Sequence, residues 1–217
     1  NAASFPANPA PMTALSLIME FPSAADSAPG AAVTGGDEVT ALVERARLGD
    51  PAAFAAVVAQ FEKRTFHFVL GMVGNSHDAE DITQETFVKT WQALRRYRPQ
   101  HSFCTWLFTI ARRTALNHLR ARRPTEELKD HDISVEENPG DTTADRDDAL
   151  AIWATARRLP PDQYDALRLC YGEGFAVKEV ARIMNSNSIR VRVLLHRARR
   201  RMAEWLKPES PEPRTHH

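Results

Sequence analysis

Residues 176–206, AVKEVARIMNSNSIRVRVLLHRARRRMAEWL, constrain the fold of this chain more than any other stretch, because apolar residues recur at helical spacing on both sides of a polar interruption. Val177, Val180, Ala181 and Met184 fall on one face of a first helix. Asn185, Ser186 and Asn187 then break it, since their short side chains compete for backbone hydrogen bonds and can cap the next helix. In the second helix Val191, Leu194, Leu195, Ala198, Met202 and Trp205 form another apolar stripe. Val193, His196, Arg197 and Arg200 point the opposite way, with Arg190 and Arg192 on the flanks. This pattern fits a helix-turn-helix whose second helix enters a DNA major groove. Periodicity alone fits equally an ordinary helical hairpin with a solvated basic face.

Charge supports a polyanionic partner once it is read by segment. The chain has 28 basic and 28 acidic residues. Residues 37–123 carry 13 Lys and Arg against 9 Asp and Glu, and residues 151–207 carry 12 against 5, whereas residues 124–150 carry 2 against 10. Two basic blocks flank an acidic one, so neutrality overall does not exclude nucleic acid. The two cysteines, Cys104 and Cys170, sit in predicted helices without metal-ligand spacing, which fits small apolar packing in a reduced, cytoplasmic protein. No apolar run is long enough for a membrane span, so no membrane insertion is expected.

Residues 1–36, rich in Ala, Pro, Ser and Gly, are expected to be a disordered extension, part of it a cloning remnant. A short amphipathic helix is predicted through Leu42, Val43, Ala46 and Leu48, ended by Gly49. Asp50 and Pro51 supply an N-cap and a first-turn proline for a longer helix through Phe54, Val57, Val58, Phe61, Phe68 and Val69. After Gly74-Asn75-Ser76 comes DAEDITQETFVKTWQAL, in which the spacing of Val88, Trp91 and Leu94 predicts an inward face, opposite Asp81, Gln84 and Glu85. The turn RRYRPQHS leads into FCTWLFTIARRTALNHLRARR, with Phe103, Trp106, Leu107 and Ile110 on its buried side and Thr109, Arg113, Asn117 and Arg120 along one edge. Aromatic residues among arginines can stack on unpaired bases while the cations hold phosphates, and the loop residues Tyr97 and His101 are the candidates for touching a base. Residues 124–148 read as a flexible acidic linker, residues 149–207 as a second helical module, and residues 208–217 as a disordered tail. The fold class is therefore all-α: two small helical domains joined by a flexible acidic linker.

These residues resemble the bacterial RNA polymerase sigma factors of the extracytoplasmic-function (group IV, sigma-70 superfamily) type, over about residues 38–206. DAEDITQETFVKTW is similar to the family's second conserved region, and FCTWLFTIARRTALNHLRARR to its melting and minus-10 segments. LPPDQYDALRLCYGEGFAVKEVARIMNSNSIRVRVLLHRARRRM is similar to its fourth region. The resemblance implies a region-2-like four-helix domain over residues 37–123 and a region-4-like helix-turn-helix domain over residues 149–207. It implies that Asp81, Gln84 and Glu85 dock on the beta-prime clamp helices of core RNA polymerase. Tyr97, His101 and Ser102 of the loop, with Arg113, Asn117 and Arg120 of the following helix, would bind the minus-10 element, one base being flipped from its stack. Asn187, Ser188 and Arg190, together with Arg192, Val193, His196 and Arg197, would bind the minus-35 element of promoter DNA. The second module would meet the beta flap, and an anti-sigma factor is implied as a further partner.

The chain departs from the family's pattern in its readers. Arg113 stands where asparagine is usual, Asn117 where aspartate is usual, Arg190 for a threonine, Leu194 for an arginine, and Asn185-Ser186-Asn187 for a glycine-apolar-proline turn. No nucleophile-base pair, metal cluster or cofactor motif is found, so a binding protein rather than an enzyme is expected. A free-standing helix-turn-helix regulator on an operator is the rival reading; it gives the first module's motifs no task.

Overall fold

The computed structural model describes residues 36–122 and 151–206; the expected extension, acidic linker and tail lie outside the described residues. Every regular element described is a helix. In the first module these are α1 (Gly36–Arg47), α2 (Pro51–Val73), α3 (Ser76–Ala93) with a 3-10 turn at Leu94–Arg96, and α4 (Phe103–Arg122). In the second, residues 151–156 are helical, followed by α5 (Pro161–Leu167) running into a π-turn at Arg168–Gly172, α6 (Val177–Ile183) and α7 (Ser188–Trp205).

The boundaries follow from local chemistry. The Asp50 carboxylate accepts from the Ala52 and Ala53 amides at 2.9 and 3.1 Å, capping α2 ahead of Pro51. Gly74 ends that helix at φ 76°, a left-handed conformation glycine adopts without a Cβ clash. Asn75 then caps α3 by accepting from the Asp78 amide at 3.0 Å. Leu48, expected on the α1 stripe, is 84% exposed, because it lies in the turn beyond Arg47 and no longer follows helical register.

The inward face of α3 differs from the expectation. Val88 and Trp91 are exposed, Trp91 lying on Phe54 with ring centroids 4.8 Å apart. The buried residues are instead Ala79, Ile82, Thr83, Thr86, Phe87 and Thr90, continuing to Leu94. Threonine packs as a small apolar residue here: the Thr86 hydroxyl donates to the Ile82 carbonyl and Thr90 to that of Thr86, each at 2.7 Å.

The two modules pack directly on each other and share one apolar core running from Val39 to Leu195. Phe108 of α4, fully buried, lies 5.2 Å from the Phe68 ring of its own module and 5.0 Å from Phe175 of the other. Arg112 donates to Asp165 at 2.8 Å, and Arg64 donates to the Glu173 carbonyl at 3.0 Å, both across the junction. A second, smaller cluster of Ala156, Leu159, Tyr164, Leu167, Ala198 and Met202 closes the far end of the second module.

Burial pushes the Asp165 carboxyl from 3.8 up to about 6, against the opposing pull of Arg112. Between those values the packed chain binds a proton that the unfolded chain releases, so the group favours packing on the acid side and this contribution is lost as pH rises through about 6. The unfolding free energy of the unaltered chain, relative to Asp165→Asn, is expected to fall as pH rises from 4 to 7. Denaturant titrations across that range check it, and a pH-independent difference between the two chains contradicts it.

Candidate nucleic-acid interface

Helix α7 is held by its apolar stripe and presents its basic one. Val191, Leu195, Ala198 and Met202 are buried, whereas Arg192, Val193, His196, Arg197 and Arg200 are exposed. Asn185 takes the left-handed conformation at φ 49°, a conformation asparagine tolerates better than most side chains. Asn187 caps α7 by accepting from the Arg190 amide at 2.8 Å. Ser188 is half-buried in the first turn. Arg190 is exposed but pairs with Asp162 at 3.2 Å, an ion pair within this module. Ile189 is 74% exposed at the start of the same helix.

The second basic surface lies on α4. Arg113, Asn117 and Arg120 are exposed along one edge, as their spacing predicts, and His101 and Ser102 are exposed in the preceding loop. The end of α4 is pinned to the start of α3, where Asp78 pairs with Arg122 and lies 3.6 Å from His118.

Tyr97 corrects the expectation for that loop. Its side chain is buried, with its ring 5.8 Å from Phe103 and 4.9 Å from Trp106, and its hydroxyl donates to the His101 carbonyl at 2.8 Å. Burial, and then Glu44, raise its phenol further above the usual value. An aromatic in a turn stretch was expected to be free for a base. Here two neighbouring aromatics, Phe103 and Trp106, outcompete solvent and make Tyr97 the support of the loop, leaving His101 and Ser102 as its outward groups.

The acidic surface is on α3. Asp81, Gln84 and Glu85 are all exposed, Glu85 pairing with Lys89 at 2.6 Å. Val88 and Trp91 adjoin them at 54% and 38% exposure, so the face is mixed polar and apolar rather than merely solvated.

Neither cysteine is poised as a nucleophile. Burial pushes the thiols of Cys104 and Cys170 up to about 11, which keeps both protonated near neutrality. Among the described residues no three His, Cys, Asp or Glu side chains converge as a metal site, and no helix is long and apolar enough to cross a membrane.

Two helical modules, one presenting a basic recognition helix and the other a basic helix edge beside an acidic-apolar face, define a multi-surface DNA-reading protein. Residues 57–125 match Sigma-70 region 2, and residues 149–202 match Sigma-70 region 4. The RNA polymerase sigma-H factor of Pseudomonas aeruginosa is 32% identical over 179 residues, covering 77% of this chain and 93% of that protein. The ECF RNA polymerase sigma-E factor of Escherichia coli is 30% identical, again over 77% and 93%. In fold, the chain is similar to CnrH in its complex with the cytosolic domain of CnrY, with TM-score 0.62, 22% identity and coverage of 80% of this chain and all of that one. It is similar too to the sigma factor RpoE in its complex with the anti-sigma factor NepR from Bartonella quintana, with TM-score 0.62, 21% identity and coverage of 72% and 98%. The chain belongs to the extracytoplasmic-function family of RNA polymerase sigma factors.

Proposed function

We propose that this sigma factor binds core RNA polymerase in the cytoplasm, directs it to promoters through a minus-35 and a minus-10 element, and helps open the duplex, acting by binding and not by catalysis. The observation that carries this reading is the presence of three outward surfaces of distinct chemistry on two modules that match both sigma regions. In this reading residues 37–123 form the polymerase and minus-10 domain, and residues 149–207 the minus-35 domain, which also meets the beta flap. On α7, Arg192, Val193, His196 and Arg197 read base edges, while Asn187, Ser188 and Arg190 position the helix at the groove. On α4, Arg113, Asn117 and Arg120 track the separated strand, and His101 and Ser102 hold the extruded base over the support that Tyr97 gives. The α3 face takes the clamp helices, with Val88 and Trp91 adding apolar area beside Asp81, Gln84 and Glu85.

The anti-sigma partner inferred for this chain is supported by fold likeness to proteins solved in complexes with CnrY and NepR. Co-purification from the native host, probed for polymerase subunits and a small inhibitory protein, tests both partners.

Asp81→Ala combined with Gln84→Ala is expected to weaken core binding by roughly tenfold to a hundredfold, the scale of losing one or two well-placed interface groups at about 1.4 kcal/mol per factor of ten. Both side chains are exposed, so the unfolding transition should not move. Titration of labelled chain with core polymerase measures the loss; unchanged affinity removes this face from the interface.

A further inference from the structure

Helix α7 carries two apolar side chains on its solvent face. Ile189 is 74% exposed and Val193 is 42% exposed. They lie four residues apart, one turn above the other, so they form a single patch. At about 100° per residue the patch stands opposite the buried seam of Val191, Leu195, Ala198 and Met202, and it therefore faces directly away from the core. His196 lies beside it, and the exposed Arg192 and Arg197 flank it on its two sides.

Neither residue serves the fold. A lone exposed apolar residue such as Leu48 is ordinary on a protein surface. A β-branched pair on the outer face of a helix is different, because each lowers helix propensity relative to alanine or arginine and neither is buried in return. The turn that carries Ile189 is nevertheless fixed. Asn187 accepts from the Arg190 amide at 2.8 Å, and the Arg190 side chain is tied to Asp162 at 3.2 Å. Stiff side chains on a fixed turn lose little freedom when a ligand closes over them.

The surroundings select that ligand. Arg190, Arg192, Arg197 and Arg200 are exposed around the patch, so it attracts a polyanion. The major groove of DNA is a polyanionic surface that also offers an apolar group, the C5 methyl of thymine, which a hydrocarbon side chain reads by contact. In helix-turn-helix docking the N-terminal residues of the second helix meet base edges, and Ile189 and Val193 both fall in the first two turns of α7. Along the helix they are about 6 Å apart, which is under about two base-pair steps of duplex.

Building on the proposed sigma function, we propose that Ile189 and Val193 read thymine: each closes on the C5 methyl group of a thymine in the minus-35 element, the two methyl groups lying within about two base steps of each other, while Arg192 and Arg197 take the hydrogen-bonding edges on either side.

The test uses holoenzyme formed from core RNA polymerase and the full chain. Selection from duplexes randomised across the minus-35 element is expected to yield a pair of thymines, on either strand, within that spacing. Deoxyuridine then replaces each thymine in turn, which removes the methyl group and leaves the hydrogen-bonding edges unchanged. Each replacement is expected to weaken binding by the unaltered chain about fourfold, the factor for one methyl-sized group withdrawn from apolar contact. Ile189→Ala should lose the response to deoxyuridine at one position and Val193→Ala at the other, so that substitution and base change together cost less than the product of their separate effects. Neither substitution alters charge, so the salt dependence of binding should stay as it was. Both positions are exposed, so the unfolding midpoint should not move. A selected element without thymine overturns the proposal, as do deoxyuridine penalties that are absent, or that are equal in the unaltered chain and both variants. Duplex binding that neither alanine variant weakens also overturns it and leaves the patch to a protein partner. Holoenzyme that selects no element at all refutes the proposed function itself, and thymine reading falls with it.

Discussion

Replacing Arg192 and Arg197 together with alanine is expected to reduce holoenzyme affinity for a minus-35 duplex by roughly thirtyfold to twenty-thousandfold. A guanidinium that donates two hydrogen bonds to guanine discriminates by about 1–3 kcal/mol, and two such pairings on one helix face add when they do not share a base. Both side chains are exposed, and the stripe that docks α7 is made by Val191, Leu195, Ala198 and Met202, so the helix should stay seated. Alanine also favours helix more than the alternatives, which protects the local fold. Salt dependence tells base recognition from phosphate neutralisation: the slope of log affinity against log salt becomes shallower by about 0.9 for each phosphate that the variant no longer neutralises. Anisotropy titrations of holoenzyme on matched and scrambled minus-35 duplexes, with core affinity measured alongside, check the result. Equal weakening on both duplexes would make these arginines general phosphate binders, and loss of core binding would make them structural.

Phe108→Ala is expected to destabilise the described fold by about 3–5 kcal/mol, the range for removing a fully buried phenyl ring. The position is unusual in serving two packings at once. Its ring contacts Phe68 in the first module and Phe175 in the second, and the Arg64 guanidinium lies over it at 5.6 Å from the centroid. The cavity left by alanine would open beside a cation that also holds Glu173. With total stabilities of about 5–15 kcal/mol, this single loss consumes a large share of what a domain has. Equilibrium denaturation checks it. A loss below about 1 kcal/mol would mean that the cavity collapses at little cost, and the shared core would not be the element that joins the modules.

The faces of α7 were legible because chemical contrast is sharp there: apolar Val191, Leu195 and Ala198 alternate at helical spacing with Arg192, His196 and Arg197, leaving one orientation open. The same holds for Arg113, Asn117 and Arg120 on α4, and for the Asp50 and Asn187 caps, which are local. Helix α3 was misread because its hydroxyls change character with context. Thr83, Thr86 and Thr90 look polar in sequence, yet Thr86 and Thr90 satisfy their hydroxyls on carbonyls four residues back and bury, displacing Val88 and Trp91 to the surface. Tyr97 was misplaced because its partners Phe103 and Trp106 enclose it only once the turn has folded back on α4. The contact between the modules was beyond sequence periodicity altogether. Arg112 meets Asp165 across 53 residues, and Arg64 meets Glu173 across 109, so no local pattern could pair them.

In the proposed function, this chain confers promoter choice on a polymerase that otherwise lacks it. The most direct measurement is in vitro transcription with purified core RNA polymerase on promoter fragments from the native host, with and without the chain. Transcripts starting at defined sites, made only when the chain is added and abolished by Arg192→Ala combined with Arg197→Ala, are the predicted result. A competent core that starts at no defined site with the chain present, on fragments the chain nevertheless binds by itself, would contradict it.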